Sequence, residues 1–335
     1  MNELEPIDPG TAVEMYLESR ERELAAATIY SHRSRLGFFV RWCAEQDIKN
    51  LNNLTGRDLH RYRLWRRSEG DLSTTSEKTQ MDTVRVFIKW LETVDGVEND
   101  LHIKVRSPTL KPGENVRDAI IESEEADAIL AYLTKYKYAG FSHVVFTLLW
   151  RTMMRRGSLR ALDLDDYDPK EQYLSVRNRP ETDTRLKNGD KGERYIALRD
   201  ETCSVLDDWI SENRPDVIDE YGRDPLITSE QGRPHVGTIQ AHIYGVTRPC
   251  FWGTSCPHDK DIKSCESANS RGQAFGCPSS EGPHSIRRGS ITHNLKQGKP
   301  EKVIGDRADV SPNVIEQHYD KRSQLEKMEQ RREYL

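Results

Sequence analysis

Hydrophobic positions in residues 11–94 recur with a period of about 3.6 residues, a pattern that predicts four amphipathic helices. The second predicted helix shows it most clearly, with apolar side chains on one face at Ile29, Leu36, Phe39, Val40 and Cys43. Thr11 and Thr55, each followed three residues later by an acidic residue, have the spacing of a capping box and predict two helix starts. We therefore expect a compact helical domain in residues 1–105.

The pattern changes twice after this domain. Prolines and glycine make residues 106–118 an extended linker. Further along, the short β-branched and aromatic runs YLSVRN and RYIALR, separated by a polar segment, predict a β-hairpin among helices. Ser311 followed by Pro312 predicts one more helix start. The expected fold class is mainly α with a small antiparallel β-sheet, and residues 119–335 form its α+β domain.

Composition narrows the class of protein. The chain has 335 residues, 31% of them charged, and no run approaches the length of about 20 apolar residues that a membrane span needs. The first residues lack the basic and apolar pattern of a signal peptide, so we expect a cytoplasmic protein with no membrane partner. The net charge of -5 argues mildly against nucleic-acid binding, although an acidic protein can still carry a basic face.

Four of the six cysteines lie close together in an insert at about residues 250–280. Their positions are Cys250, Cys256, Cys265 and Cys277. In a cytosolic chain, clustered cysteines indicate a metal site more often than disulfides. Four thiolates can complete a tetrahedral structural zinc site. His258 is an alternative ligand. Free thiols and two disulfides are the other interpretations.

The residues that carry chemistry form an ordered set of two arginines, a lysine, a histidine and a tyrosine. In chain order they are Arg155, Lys187, His284, Arg287 and Tyr319, with Lys191 as the competing lysine. Such a set suits phosphodiester transesterification. A tyrosine hydroxyl attacks the phosphate, and two guanidiniums clamp the charge that gathers on its oxygens. A lysine protonates the leaving 5′ hydroxyl, and a histidine assists the tyrosine. Because the arginines supply the positive charge, catalysis needs no cofactor.

This set resembles the catalytic domain of tyrosine recombinases, the phage integrase and Xer group. The resemblance rests on the segments TMMRRGSLRAL, LKNGDKGERYIAL, PHSIRRGSITHNL and HYD, and extends to a helical core-binding domain at the N-terminal end. The stretch IGDRADVS is similar to archaeal, particularly haloarchaeal, integrases.

The resemblance implies a role for each matching residue. Arg155 and Arg287 become the phosphate clamp, Lys187 the general acid, His284 the histidine of the His-x-x-Arg box and Tyr319 the nucleophile. It also implies a 3′-phosphotyrosine intermediate and partners in the form of double-stranded DNA attachment sites. A dimer on each site and a tetramer in synapsis are the implied assemblies.

Three positions depart from the family pattern. Met153 stands where a glycine is usual, and Ser158 stands where a glutamate is common. The segment 304–307 reads Ile-Gly-Asp-Arg in place of Leu-Gly-His, which leaves Asp306 and Arg307 as candidates for a sixth catalytic position. An ionised aspartate cannot donate to a phosphate, whereas an arginine can.

Basic residues mark a candidate DNA-contacting face, although a plain solvated face is the alternative. In the helical domain they are Arg33, Arg35, Arg57, Arg61, Arg63, Arg66 and Arg67, and beside the catalytic motifs they are Arg156 and Arg288. Tyr334 is the alternative late tyrosine. Two other functions stay open: a degenerate integrase that acts as a DNA-binding regulator, and strand relaxation of the type IB topoisomerase kind.

Overall fold

The chain, seen in a computed structural model, separates into two compact units, Met1–Arg117 and Asp118–Leu335. The structure describes residues 4–111, 114, 119–253, 255–320 and 322–332. Most of the C-terminal half of the expected linker 106–118 therefore lies outside the described residues, as does Tyr334. None of the described helices combines the length and apolarity that crossing a membrane requires.

The N-terminal unit contains the four expected helices. They are α1 (Pro9–Arg20), α2 (Ala26–Glu45), α3 (Gly56–Glu69) and α4 (Thr74–Thr93). Each contributes at least one fully buried aromatic ring to a shared core, and these rings include Tyr16, Phe39, Tyr62 and Phe87. Phe39 meets Tyr62 edge to face at 5.3 Å, and Tyr16 meets Phe87 in the same way at 5.4 Å. Such ring pairs add to the stability that area burial already supplies.

The two expected capping boxes had different outcomes. The Thr55 prediction is confirmed, because its side chain accepts from the Asp58 amide and Asp58 bonds back to the Thr55 amide. The Thr11 prediction is wrong, because the helix begins earlier, at Pro9. Asp8 caps it there by accepting from the amides of Gly10 and Thr11, both at 3.0 Å. Proline at the first helical position fits this earlier start, since its missing N–H needs no partner there.

The C-terminal unit combines eleven described α-helices with one small sheet. The helices are α5 (Ser123–Tyr136), α6 (Phe141–Thr152), α7 (Arg156–Ala161), α8 (Asp200–Asp208), α9 (Val236–Thr247), α10 (Pro249–Trp252), α11 (Glu266–Asn269), α12 (Pro283–Lys296), α13 (Glu301–Ala308), α14 (Pro312–His318) and α15 (Gln324–Arg332). The strands are β1 (Tyr167–Asp168), β2 (Tyr173–Val176) and β3 (Arg194–Ala197). The expected fold class, mainly α with a small antiparallel sheet, is confirmed.

The sheet is antiparallel in the order β1-β2-β3. Tyr173 pairs with Ala197 and Val176 with Arg194, so the expected hairpin forms and its long polar loop spans residues 177–193. Strand β1 was not expected, because two residues are too few to show an alternating pattern. Lys187 lies in this loop, which leaves the sheet where Val176 pairs with Arg194.

Helix α12 is held by an unusually close approach of two backbones. Gly289, on this helix, lies against the carbonyl of Ile121, and a Cβ at Gly289 would come within 1.9 Å of that oxygen. The Ile121 amide also donates to the Ser285 carbonyl at 3.3 Å. Only glycine permits this approach, and it sets the position of the helix that carries His284 and Arg287.

A buried ion-pair network holds the segment that follows α7. Asp163 accepts from the guanidiniums of Arg223, at 2.7 Å, and Arg233. Arg233 also pairs with Asp219 at 2.7 Å. Arg233 Nη1 also donates to the carbonyl of Arg160 at 2.6 Å, so the network is bonded to the helix that begins directly after Arg155.

Candidate active site

Arg155 lies at the break between α6 and α7. Met153 ends α6 in the left-handed region with φ of 58°, and Arg155 then serves as the extended N-cap of α7. This turn projects the Arg155 side chain toward the end of α13. Its Nη1 donates to the Asp309 carboxylate at 2.5 Å, and its Nη2 donates to the Asp309 carbonyl at 2.8 Å.

Arg287 extends from α12 into the interior and is 1% exposed. Its Nη1 donates to the carbonyls of Met153, at 2.5 Å, and Ala308, at 2.7 Å. Its Nε and Nη2 have no hydrogen-bond partner among the described residues. Burial lowers the pKa of Arg287, with a smaller effect from Arg155. A buried guanidinium with two open donors is suited to an anionic ligand, because unpaired buried donors are costly.

The end of α13 holds three arginines through its main chain. Three consecutive carbonyls accept from three different side chains: Arg307 from Arg194 at 2.9 Å, Ala308 from Arg287 at 2.7 Å and Asp309 from Arg155 at 2.8 Å. The last carbonyls of a helix lack intrahelical partners and carry partial negative charge, so cationic donors are favoured there. The turn thus brings two separate sequence motifs, around Arg155 and Arg287, to one place.

Asp309 is the site residue that the sequence did not indicate. One carboxylate oxygen accepts from Arg155, and the other accepts from Asn188 Nδ2 at 2.8 Å. Asn188 adjoins Lys187, so Asp309 connects the arginine to the lysine loop. Its backbone is left-handed, with φ of 55°. Aspartate tolerates this conformation better than most residues, and that tolerance is the one sequence signal that pointed to a helix end here.

Tyr319 follows α14 directly and is 6% exposed. Its ring packs in a small apolar cluster formed by Met153, Ile291, Leu295, Ile304, Ala308 and Ile315. The Arg287 guanidinium carbon lies 5.7 Å from the ring centroid, and the His284 ring meets it edge-on at 6.3 Å. Thr292 Oγ1 donates to the Tyr319 carbonyl at 2.6 Å and fixes the chain at this point.

His284 stands in the first turn of α12, exposed on one side and crowded on the other. That crowding lowers the pKa of His284, and the charges of Arg288, Arg287, Lys187 and Arg155 lower it further. The imidazole is therefore neutral at pH 7 and able to accept a proton. Lys187 is among the charges that lower the pKa of His284, so its ammonium lies near the imidazole. The choice of Lys187 over Lys191 stays a prediction. Both lysine side chains are exposed.

The two candidates for the sixth position lie elsewhere. Asp306 is exposed, and Arg307 Nη2 donates to the Arg151 carbonyl at 3.0 Å. The Arg307 side chain lines a cavity of about 340 Å³ together with Arg199 and Lys299. Burial and the charge of Arg199 lower the pKa of Arg307. A role for either residue stays a prediction, and the position next to the first arginine is taken by Asp309.

The candidate DNA face of the N-terminal unit falls into two groups. Exposed side chains are those of Arg33, Arg57, Arg61 and Arg67, although Arg33 also pairs with Glu14 at 2.5 Å. The others are engaged within the unit: Arg63 bonds Glu77 at 2.5 Å, Arg66 stacks over the Phe38 ring at 3.7 Å, and Arg35 bonds Thr83 at 3.2 Å. Contact with DNA stays a prediction for all seven, and the exposed group is the better placed for it.

The two arginines beside the catalytic motifs also differ. Arg156 is exposed and hydrogen-bonded to Gln240. Arg288 is buried, and its Nε has no hydrogen-bond partner among the described residues. Ser158, a residue of α7, is buried and stands in the place where tyrosine recombinases often have a glutamate.

The cysteine insert keeps its four thiols free and half-buried. Burial raises the pKa of Cys250, and the neighbouring thiols of Cys277 and Cys256 raise it further, so these three are near one another. His258 Nε2 instead lies 3.0 Å from Ser279 Oγ. Among the described residues, no group of three or more His, Cys, Asp or Glu side chains is arranged to hold a metal ion. Zinc binding stays a prediction.

Comparison with known proteins gives matches in both units. Residues 14–93 match the family described as phage integrase, N-terminal SAM-like domain. Tyrosine recombinase XerC 2 of Ralstonia nicotianae is 24% identical over 216 residues, which cover 63% of this chain and 59% of that relative. The chain thus spans about three fifths of that relative's length.

Two solved structures extend the comparison. The N-terminal domain of a phage integrase/site-specific recombinase from Haloarcula marismortui is 36% identical over 31% of this chain and 99% of its own, with a TM-score of 0.30. A lambda integrase fragment, solved as a dimer bound to a COC′ core site, is 15% identical over 96% of this chain and 97% of its own, with a TM-score of 0.64. The latter shares the fold across both units. The chain is thus similar to phage integrases and tyrosine recombinases, and it gathers two arginines, a histidine and a tyrosine at one turn.

Proposed function

We propose that this chain is a site-specific recombinase that cuts and rejoins DNA strands through a 3′-phosphotyrosine at Tyr319. The observation that carries the proposal is the open pair of donors on buried Arg287, directly beside the Tyr319 ring. Arg155 lies at the same helix end. A phosphate placed between these side chains would satisfy the donors of Arg287 and meet the tyrosine hydroxyl at once.

The chemistry is a transesterification that balances without an external energy source. The Tyr319 Oη–phosphorus bond forms while the bond from phosphorus to the 5′ oxygen breaks. Neutral His284 accepts the tyrosine proton, and Lys187 donates a proton to the departing 5′ hydroxyl. Arg155 and Arg287 bind the non-bridging oxygens and stabilise their growing charge. A 5′ hydroxyl from a partner strand reverses the same steps and rejoins the DNA.

The proposed partners are double-stranded DNA attachment sites and further copies of this chain. The lambda integrase fragment of the same fold was solved as a dimer on DNA. Exchange of strands between two sites requires an active tyrosine at each cut. A dimer on each site and a tetramer in synapsis meet that requirement.

A nicked suicide duplex that carries the attachment sequence from the element's own flanks tests the proposal. After cleavage, the short fragment that carries the free 5′ hydroxyl dissociates, so the covalent adduct is trapped and appears on a denaturing gel. We expect an adduct with the wild type and with Tyr195→Phe, an exposed tyrosine on β3, and none with Tyr319→Phe. Binding without any adduct would support a DNA-binding regulator. Relaxation of plasmids that lack the site would support a topoisomerase.

The zinc prediction has a separate test. Metal content of the purified chain, measured by mass spectrometry, should approach one zinc per chain. The Cys256→Ser variant should lose it, whereas Cys43→Ser, a buried cysteine of the N-terminal unit, should keep it. If the wild-type protein contains no zinc and melts at the same temperature as the Cys256→Ser variant, the zinc prediction is wrong and the four cysteines are free thiols.

A further inference from the structure

The carboxylate of Asp309 has two bonds that lead to different parts of the candidate site. One oxygen accepts from Arg155 Nη1, and the other accepts from Asn188 Nδ2. The carboxylate is largely buried, with 12% of the side chain exposed. It therefore links an arginine of the phosphate clamp to the residue next to the proposed general acid, Lys187.

The contact with Arg155 has the chemistry of a bound phosphate. Carboxylates and phosphates bind a guanidinium through the same charge-assisted hydrogen bonds. The two arginines of the clamp therefore differ in the free protein. Arg287 has two buried N–H groups without a partner among the described residues, whereas Arg155 already has an anionic oxygen.

The main chain makes the carboxylate replaceable at Arg155. The Asp309 carbonyl accepts from Arg155 Nη2 at 2.8 Å, separately from the side chain. If a phosphate took the place of the carboxylate at Nη1, this bond would still hold the guanidinium. The side-chain bond to Asn188 would also remain, because it uses the other oxygen.

We propose that Asp309 is a positioning residue whose carboxylate neutralises Arg155 in the free protein, yields it to the scissile phosphate and continues to anchor the Lys187 loop. The inference rests on the proposed function, since it assigns a task within the same site. The carboxylate thus has two effects that substitutions can test one at a time. It competes with phosphate at Arg155, and it holds Lys187 in place.

Two substitutions separate these effects. Asp309→Asn removes the charge but keeps one acceptor oxygen for Asn188, whereas Asp309→Ala removes both interactions. Asp216→Asn is the matched control, because it removes the same charge from an exposed position of the same unit. Thermal unfolding of all three variants checks that they fold.

The first measurement is calorimetric titration of the DNA-free protein with inorganic orthophosphate at low salt. Both Asp309 variants should bind phosphate about tenfold more tightly than the wild type, because no carboxylate competes for Arg155. Asp216→Asn should match the wild type. Equal affinity in all four proteins would overturn the competition. This readout does not depend on recombination, so it stands apart from a failure of the proposed function.

The second measurement is the single-turnover rate of adduct formation at saturating DNA. Asp309→Ala should be slower than Asp309→Asn by about tenfold, because the lysine that protonates the leaving group is no longer anchored in the alanine variant. A substrate with sulfur in place of the bridging 5′ oxygen should restore the Asp309→Ala rate, since a thiolate leaves without a proton. A slow rate that sulfur does not restore would overturn the link to Lys187.

Discussion

Met153 allows a direct test of how backbone strain and side-chain packing compete at the arginine turn. It occupies a left-handed position that favours glycine, the residue usual in the family, and yet its side chain is 1% exposed. Replacement by glycine removes the strain and the packing together, whereas replacement by alanine removes the packing alone. Comparing the two variants therefore isolates the strain.

The magnitudes decide the order of stability. Loss of a buried methionine side chain to alanine costs about 2–5 kcal/mol. A left-handed conformation costs an L-residue about 1–2 kcal/mol, which glycine avoids. We expect Met153→Ala to lose about 2–5 kcal/mol of unfolding free energy and Met153→Gly only about 1–3 kcal/mol. This reverses the usual order, since glycine inside a helix is about 1 kcal/mol worse than alanine.

Urea denaturation followed by circular dichroism measures these differences. Met153→Leu is the control, because it keeps the volume and the strain and should cost less than about 1.5 kcal/mol. An alanine variant as stable as the glycine variant, or more so, would refute the reasoning. Since Met153 packs in the same cluster as Tyr319, both truncations should also slow adduct formation, which the suicide duplex reports.

Three further predictions follow from the geometry of the C-terminal unit. Gly289→Ala should lose about 3 kcal/mol of unfolding free energy in urea because its Cβ meets a backbone oxygen. Gly157→Ala, with open space around it, should gain up to about 1 kcal/mol; similar values for both would contradict the close approach. Because its pKa is lowered, His284 stays neutral below the ordinary histidine value of about 6.5. The single-turnover rate should thus be level from about pH 8 to 6, and an acid limb near pH 7 would contradict a lowered pKa for His284 as the base. Arg307→Ala should change the rate by less than about threefold, while Arg287→Ala should lower it by more than about a hundredfold. A large loss in the first variant would restore Arg307 as the sixth position.

Local sequence patterns predicted the structure correctly where a single signal was present and no second signal competed with it. Thr55 has a capping box with no competitor, and the helix starts there. Thr11 has the same spacing, but Asp8 followed by proline offers an earlier cap, and the earlier one forms. Strand β1 is too short to carry a pattern at all. The overall class was predictable because the helices are long and the hairpin is strongly β-branched.

The sequence also predicted some residues of the candidate site and missed others. The residue types and their order indicated the arginines, the histidine and the tyrosine, and the structure brings them to one turn. Asp309 was missed because its role depends on a left-handed helix end and on Asn188, which is 121 residues away. Arg63 and Arg66 were grouped with the exposed arginines because their partners, Glu77 and Phe38, lie on other helices. Tertiary contacts of this kind leave no local signal.

The carbonyl groups at the end of α13 have an evolutionary consequence. They hold the arginines with main-chain atoms that every amino acid possesses, so the side chain at position 307 can change without loss of these hydrogen bonds, provided that the helix still ends at the same point. Position 308 has less freedom, because the Ala308 side chain is fully buried in the cluster around Tyr319. Distant relatives are therefore better compared at this turn by the path of the backbone than by the identity of residue 307.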